Sequence, residues 1–187
     1  MPIGIWIGFN QKAATVLQPV AQILAALPPN ILYPLMALLL IYFHQSLYWW
    51  SIPLIMIGTQ WYILFNVIAG IRTIPQDILD LAASYHARGF FYWRHIILPA
   101  IFPYIVTGII SAAGGAWNAD ITAEIIQWGS TKLETPGLGA MISRSADANL
   151  ISQEALGCIL MSVLVALCII FVWKPLYRLA EEKFNVR

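Results

Sequence analysis

Three uninterrupted apolar runs, Leu47 to Ile71, Ala100 to about Ala116, and about Ala155 to Trp173, decide what this chain can be. A helix needs about 20 mostly apolar residues to cross the hydrocarbon layer of a bilayer. No water reaches backbone N–H and C=O groups there, so each run must close its hydrogen bonds internally, as a helix. Composition points the same way: 60% of the 187 residues are hydrophobic and 10% are charged, whereas a soluble domain carries about a quarter charged residues. So little polar surface could not solvate the outside of a globule. An all-α, polytopic membrane protein with one domain over residues 1–187 is expected, with membrane lipid around it. The formal net charge of +1 offers no basic field, so nucleic acid is not an expected partner.

Residues 13–43 form a longer apolar region broken by Pro19, Pro28, Pro29 and Pro34. The pieces on either side of Pro28-Pro29 are each too short to span. One kinked span is therefore the economical reading, because neighbouring helices can satisfy the carbonyls that proline frees. The count is about four full spans plus an N-terminal apolar stub before Lys12. "MPIGIWIGFNQK" has no basic n-region and no cleavage site. It reads as the tail of an apolar helix, so a chain lacking its first helix or helices is expected. Positive residues mark the cytoplasmic side. Lys12, the loop bearing Arg72, Arg88 and Arg94, and the C-terminal Lys174, Arg178, Lys183 and Arg187 are expected inside. The acidic segment 118–154 is then extracytoplasmic. Cys158 and Cys168 are roughly 15 Å apart on one helix, too far for a disulfide. No internal repeat or low-complexity linker divides the chain.

The polar stretch "DLAASYHARGFFYWRHIILP", Asp80 to Pro99, separates two spans. Thr73-Ile74-Pro75-Gln76 before it has the form of a capping box with proline in the first turn, so a helix should start there. Ile78, Leu81, Ala82 and Tyr85 recur at helical spacing as an apolar stripe, with Asp77, Asp80 and Ser84 opposite. The helix should end by Gly89, and Pro99 should open the next span. Such a helix could lie on the membrane surface. Its acidic face suits an anionic leaflet poorly and a protein groove better.

The same stretch resembles the cytoplasmic loop of permease subunits in binding-protein-dependent ABC importers. That family's pattern is E-A-A, three residues, G, nine residues, I-x-L-P. Aligning on Leu98-Pro99 puts Ile96 on the I, Asp80 on the E and Ala82 on the second A. Leu81 stands in place of the first Ala. His86 stands in place of the Gly, and Gly89 follows three residues later. The turn is expected to slide to Gly89, leaving His86 helical, because a residue with a Cβ resists the left-handed conformation. "NVIAGIRTIPQDILDLAA" and "LPAIFPYIVTGI" flank the loop in the same style. "PPNILYPL", "WNADITAE" and "GLGAMI" are most similar to the nitrate, sulfonate and taurine branch, above all its duplicated anion permeases.

The resemblance implies a type I importer-permease fold and no chemistry in this chain. ATP and Mg would be bound by an ATPase dimer docked on the 73–96 loop through Asp80, Ala82, Ala83, His86, Arg88 and Gly89, with Ile96, Leu98 and Pro99 completing the motif. A second permease half and an extracytoplasmic solute-binding protein would complete the assembly, in a bacterial or archaeal inner membrane, with the C-terminus cytoplasmic. The solute would be a small oxyanion or sulfonate.

Gly108, Ala112 and Gly115 are spaced for close helix packing. They serve either within the chain or against the partner permease beside the pathway, with Trp117 and Asn118 next to them. Asp120 and Glu124 are awkward for an anion route, and are expected to hold the 118–154 segment or meet the binding protein. His44 reads as an interface residue, and His95 as a solvated neighbour of Arg94. No metal-ligand spacing occurs among the His, and no P-loop or nucleophile elbow is present. An ion-coupled secondary transporter is the first alternative. It would show repeats or midspan charges, which are not seen here. An intramembrane enzyme is the second.

Overall fold

The computed structural model describes residues 2–128 and 131–184. Met1, residues 129–130 of the 118–154 segment, and residues 185–187, with the C-terminal Arg187, lie outside the described residues. The chain is almost wholly helical. In order come α1 (Pro2–Phe9), α2 (Gln11–Ala26), a 3-10 turn (Pro29–Leu32), α3 (Tyr33–Tyr42), α4 (Leu47–Arg72), α5 (Gln76–Ser84) and α6 (Gly89–Tyr92). A π-helical turn (Trp93–Ile97) leads into α7 (Leu98–Ala123). The antiparallel strands β1 (Ile125–Trp128) and β2 (Thr131–Glu134) pair Ile125 with Glu134 and Ile126 with Leu133. α8 (Leu138–Asp147), α9 (Ile151–Cys168), a second π turn (Ile169–Trp173) and α10 (Lys174–Phe184) complete the chain. This small hairpin is the one departure, among the described residues, from an all-α reading.

Among the described residues three helical runs are long and apolar enough to cross a membrane: Leu47–Arg72, Gly89–Ala123 and Ile151–Lys183. The chain is a polytopic α-helical membrane protein. The second and third runs outreach the apolar stretches that announce them, and each does so through a proline. Pro99 and Pro175 each follow a π turn by two residues. A proline ring clashes with the carbonyl four residues back, here His95 or Phe171, and cannot donate to it. Widening that turn to π geometry clears the clash, so the helix continues. Pro99 therefore lies inside a helix that began at Gly89, rather than opening one.

The single kinked span expected over 13–43 is two helices. α2 stops at Ala26, Pro28 is extended (φ −63°, ψ 129°), and helix resumes only after Pro29. Proline disfavours α geometry in the residue before it, and Pro28, ahead of Pro29, is accordingly extended. A fourth crossing exists only if this pair is counted as one broken span.

Contacts divide the chain into two compact units. The first comprises Met1–Leu24, Trp61–Ala112 and Phe171–Arg187, and the second Ala25–Gln60 and Ala113–Ile170. In the first, Val67, Ile71, Ile74, Ile97, Ile101 and Ile105 form the buried core. Glycines set the helix spacing there. A Cβ on Gly8 would sit 2.6 Å from Cβ of Ile71, and one on Gly108 would sit 3.0 Å from Cα of Ile63. In the second unit, Tyr33, Ala37, Leu40, Leu47 and Leu54 pack with Ala123 and Ile126. The Tyr33 and Thr122 hydroxyls meet at 3.3 Å.

Candidate functional site

Two clusters of polar residues stand out from the apolar frame, one in each unit. The first is the loop after α4. Thr73 does not cap α5: its hydroxyl donates back to the Gly70 carbonyl at 2.9 Å, and Pro75 occupies the cap position without a side-chain bond. The last carbonyls of α4 lack partners within their own helix and take the hydroxyl first. α5 therefore starts at Gln76, whose Nε2 donates to Asp80 Oδ1 at 3.1 Å.

α5 is held against the first unit by Ile78 and Leu79, which pack on its core, while Ala82 is 5% exposed. Its other side is bare. Asp77, Asp80 and Ala83 are exposed, as are Leu81 (58%) and Tyr85 (79%). The expected apolar stripe is thus split: Ile78 and Ala82 face inward, Leu81 and Tyr85 outward with the carboxylates. Ala82 is correspondingly not free to make the close outside contact expected of it. Two overlapping stripes, 78/81/82/85 and 78/79/82, fit the same sequence, and only packing chooses between them.

His86 is not helical. Its φ is +51°, and α5 has already ended at Ser84. The His86 N–H donates to the Ala83 carbonyl and the Ala87 N–H to the Ala82 carbonyl, each at 2.9 Å. These paired bonds are a Schellman closure, in which the residue just past the cap must be left-handed. The expected slide to Gly89 fails because those two bonds satisfy terminal carbonyls of α5 and fix the turn at His86. Gly89 adds a second left-handed residue (φ +61°) after the extended Arg88. Arg88 is exposed, Ile96 packs on the core, Leu98 is 41% exposed and Pro99 is half-buried.

The second cluster is a clasp at the end of α7. Glu124 Oε2 accepts from the Ala140 N–H at 2.7 Å, and the Gly139 N–H also points to this carboxylate. A side chain on Gly137 would collide with that carboxylate, and one on Gly139 would lie 2.6 Å from Cα of Ile121. The two glycines of "GLGAMI" therefore let the α8 N-terminus come down onto the last turn of α7. Burial raises the Glu124 pKa, and the Asp120 charge adds to that rise; the two N–H donors oppose it. Arg144 Nε pairs with Glu134 Oε1 at 3.0 Å, and Lys132 Nζ with Asp147 Oδ2 at 3.4 Å, joining hairpin to α8. Glu124 thus holds the 118–154 segment. Its partners Gly137 and Gly139 carry no sequence signal of that role.

Gly108 is buried against Tyr62, Ile63 and Asn66 of α4, so its close approach is made within the chain. Ala112 is buried, Gly115, Trp117 and Asp120 are half-buried, and Asn118 is exposed. His44 is exposed with φ +51°, closing α3 as His86 closes α5. Among the described residues no group of three or more His, Cys, Asp or Glu could hold a metal ion.

The sequence profile of the family described as "Binding-protein-dependent transport system inner membrane component" matches residues 1–186. A bicarbonate transport system permease protein, CmpB, of Synechococcus elongatus is 33% identical over 157 residues, 84% of this chain and 53% of its own length. A nitrate import permease protein, NrtB, of Leptolyngbya laminosa is 33% identical over 127 residues, 68% of this chain and 44% of its own length. The taurine transport system permease protein TauC of Escherichia coli is 27% identical over 148 residues, 79% and 50% of the two chains. The chain spans about half the length of the curated relatives it matches.

Proposed function

The chain belongs to the binding-protein-dependent transport system inner membrane component family, and from that membership we propose that it forms part of the path of an ATP-driven importer for a small anion. The relatives' names supply the solute class: bicarbonate, nitrate and taurine are an oxyanion, an oxyanion and a sulfonate. The chain itself carries out no covalent chemistry in this reading. ATP and Mg are held by an ATPase dimer on the cytoplasmic side, solute arrives from an extracytoplasmic binding protein, and a second permease half, identical or paired, completes the path.

One observation carries the coupling role. α5 is fastened to the spans on one side and bare on the other. Force applied to Asp80, Leu81 and Tyr85 passes through Ile78 and Leu79 to Ile71, Ile74, Ile97 and Ile101. Close-packed cores yield little under load, so the spans move rather than the contact compressing. The outward carboxylates Asp77 and Asp80 suit a groove with basic residues, and opposite charges fix the register of such a contact. His86, Arg88 and Gly89 set the exit angle of the helix from that groove. Arginines and lysines around the loop and in α10 support a cytoplasmic position for both.

The test is capture of the ATPase by the purified permease. Leu81→Asp combined with Asp80→Lys should leave membrane insertion intact and abolish co-purification. Undiminished co-purification would end the assignment of this face. Ala82→Trp is unsuitable as a probe of contact, because Ala82 is buried within the chain.

A further inference from the structure

The loop has a second bare face, and its charge is opposite to that of α5. Phe90 (77% exposed) and Arg94 are one turn apart, as are Phe91 (59%) and His95, and all four are exposed. The face is rigid: the Phe91 and His95 rings stack at 4.4 Å, and His95 Nδ1 lies 3.2 Å from the Phe91 carbonyl. Trp93, between them, meets Phe9 of α1 edge-on at 6.1 Å. Among the described residues neither ion pair involves Arg94.

Gly89–Ala123 runs 35 residues, ~52 Å at 1.5 Å per residue, against about 30 Å of hydrocarbon and about 40–45 Å including headgroups. The run outreaches the hydrocarbon, and its aromatic and basic first turns are of the kind that concentrates in the headgroup layer.

We propose that Phe90, Phe91, Arg94 and His95 form a binding face for one anionic phospholipid. The Arg94 guanidinium takes the phosphate through paired N–H donors, His95 holds the Phe91 ring in place by stacking on it, and the two phenyl rings lie along the glycerol and first methylenes. Charge selects lipid over protein here. The face is cationic and aromatic, whereas the carboxylates of Asp77 and Asp80 sit on α5. The aromatic band Tyr42 to Trp50 contains no Lys or Arg, so aromatic belting alone does not require a cation. The inference rests on the chain spanning a membrane and not on its being an importer.

Native mass spectrometry of the full chain, titrated with phosphatidylglycerol or phosphatidylcholine, tests it. The wild-type chain should retain one phosphatidylglycerol in preference to phosphatidylcholine by about fivefold, the contribution of one basic residue at an anionic leaflet. Arg94→Gln should remove that preference and Arg94→Lys should retain only part of it, at unchanged thermal midpoint. Phe90→Ala with Phe91→Ala should weaken retention of both lipids. Equal retention of the two lipids by wild type, or an undiminished preference in Arg94→Gln, overturns the proposal. Displacement of the lipid by millimolar inorganic phosphate overturns it as well. So does a photo-crosslinker at Phe91 that captures the ATPase in the assembled transporter.

Discussion

His86 sits at φ +51° because two backbone hydrogen bonds, from His86 to Ala83 and from Ala87 to Ala82, need it there. The conformation costs a residue with a Cβ roughly 1–2 kcal/mol, and glycine regains that less about 0.5–1 kcal/mol of chain entropy. His86→Gly should therefore raise stability by about 0.5–1 kcal/mol, and His86→Val should lower it; a thermal melt of the purified chain distinguishes the two. His44 and Asn149 close α3 and α8 with the same paired bonds, at φ +51° and +55°. Asn, whose short side chain hydrogen-bonds locally, visits this region more readily than most residues with a Cβ, so His44→Gly should gain more than Asn149→Gly. Glu124 belongs to the same scale. Its pKa is raised in the fold, chiefly by burial, so its contribution to stability is fully present below the ordinary carboxylate range. That contribution is lost as pH rises through the raised value. Glu124→Gln should flatten this part of the stability–pH curve. An unchanged slope in chemical melts from acid to neutral pH would refute the clasp's titration.

At the scale of the element, α5 was half legible. The acidic positions and its two to three turns of length follow from the residue pattern, whereas the turn at His86 does not. Which apolar residues face in does not, because Leu81 and Tyr85 satisfy helical spacing as well as Leu79 does. The long spans show the converse. Apolar runs marked their cores, but Pro99 read as a boundary, and only the π turn before it carries helix through. α8 depends on a contact sixteen residues away, between Glu124 and Ala140. Gly139→Val should push α8 off α7, since even a Cβ there meets Ile121. The Ala140 amide should then lose protection in hydrogen exchange while α4 keeps its own. Equal protection in variant and wild type would show that the glycine is not needed for the approach.

For the whole molecule, energy source separates the importer reading from an ion-coupled carrier. Uptake into vesicles holding the assembled transporter should stop when ATP is withdrawn and survive a protonophore in the presence of ATP. The opposite pattern would favour ion coupling. Membership of the transport family rests on the match over residues 1–186, and the loop motif from Asp80 to Pro99 points the same way from sequence alone. Long apolar runs dictate a helical membrane protein, since they have no other way to bury their backbone polar groups. The sequence also determined the place and sign of the charged loops. Packing decides which side of α5 is bare and that Glu124 reaches the α8 N-terminus, while local backbone bonds place the left-handed turn at His86. Each of these is settled by partners distant in the chain or by backbone bonds, and neither leaves a periodic mark on the sequence.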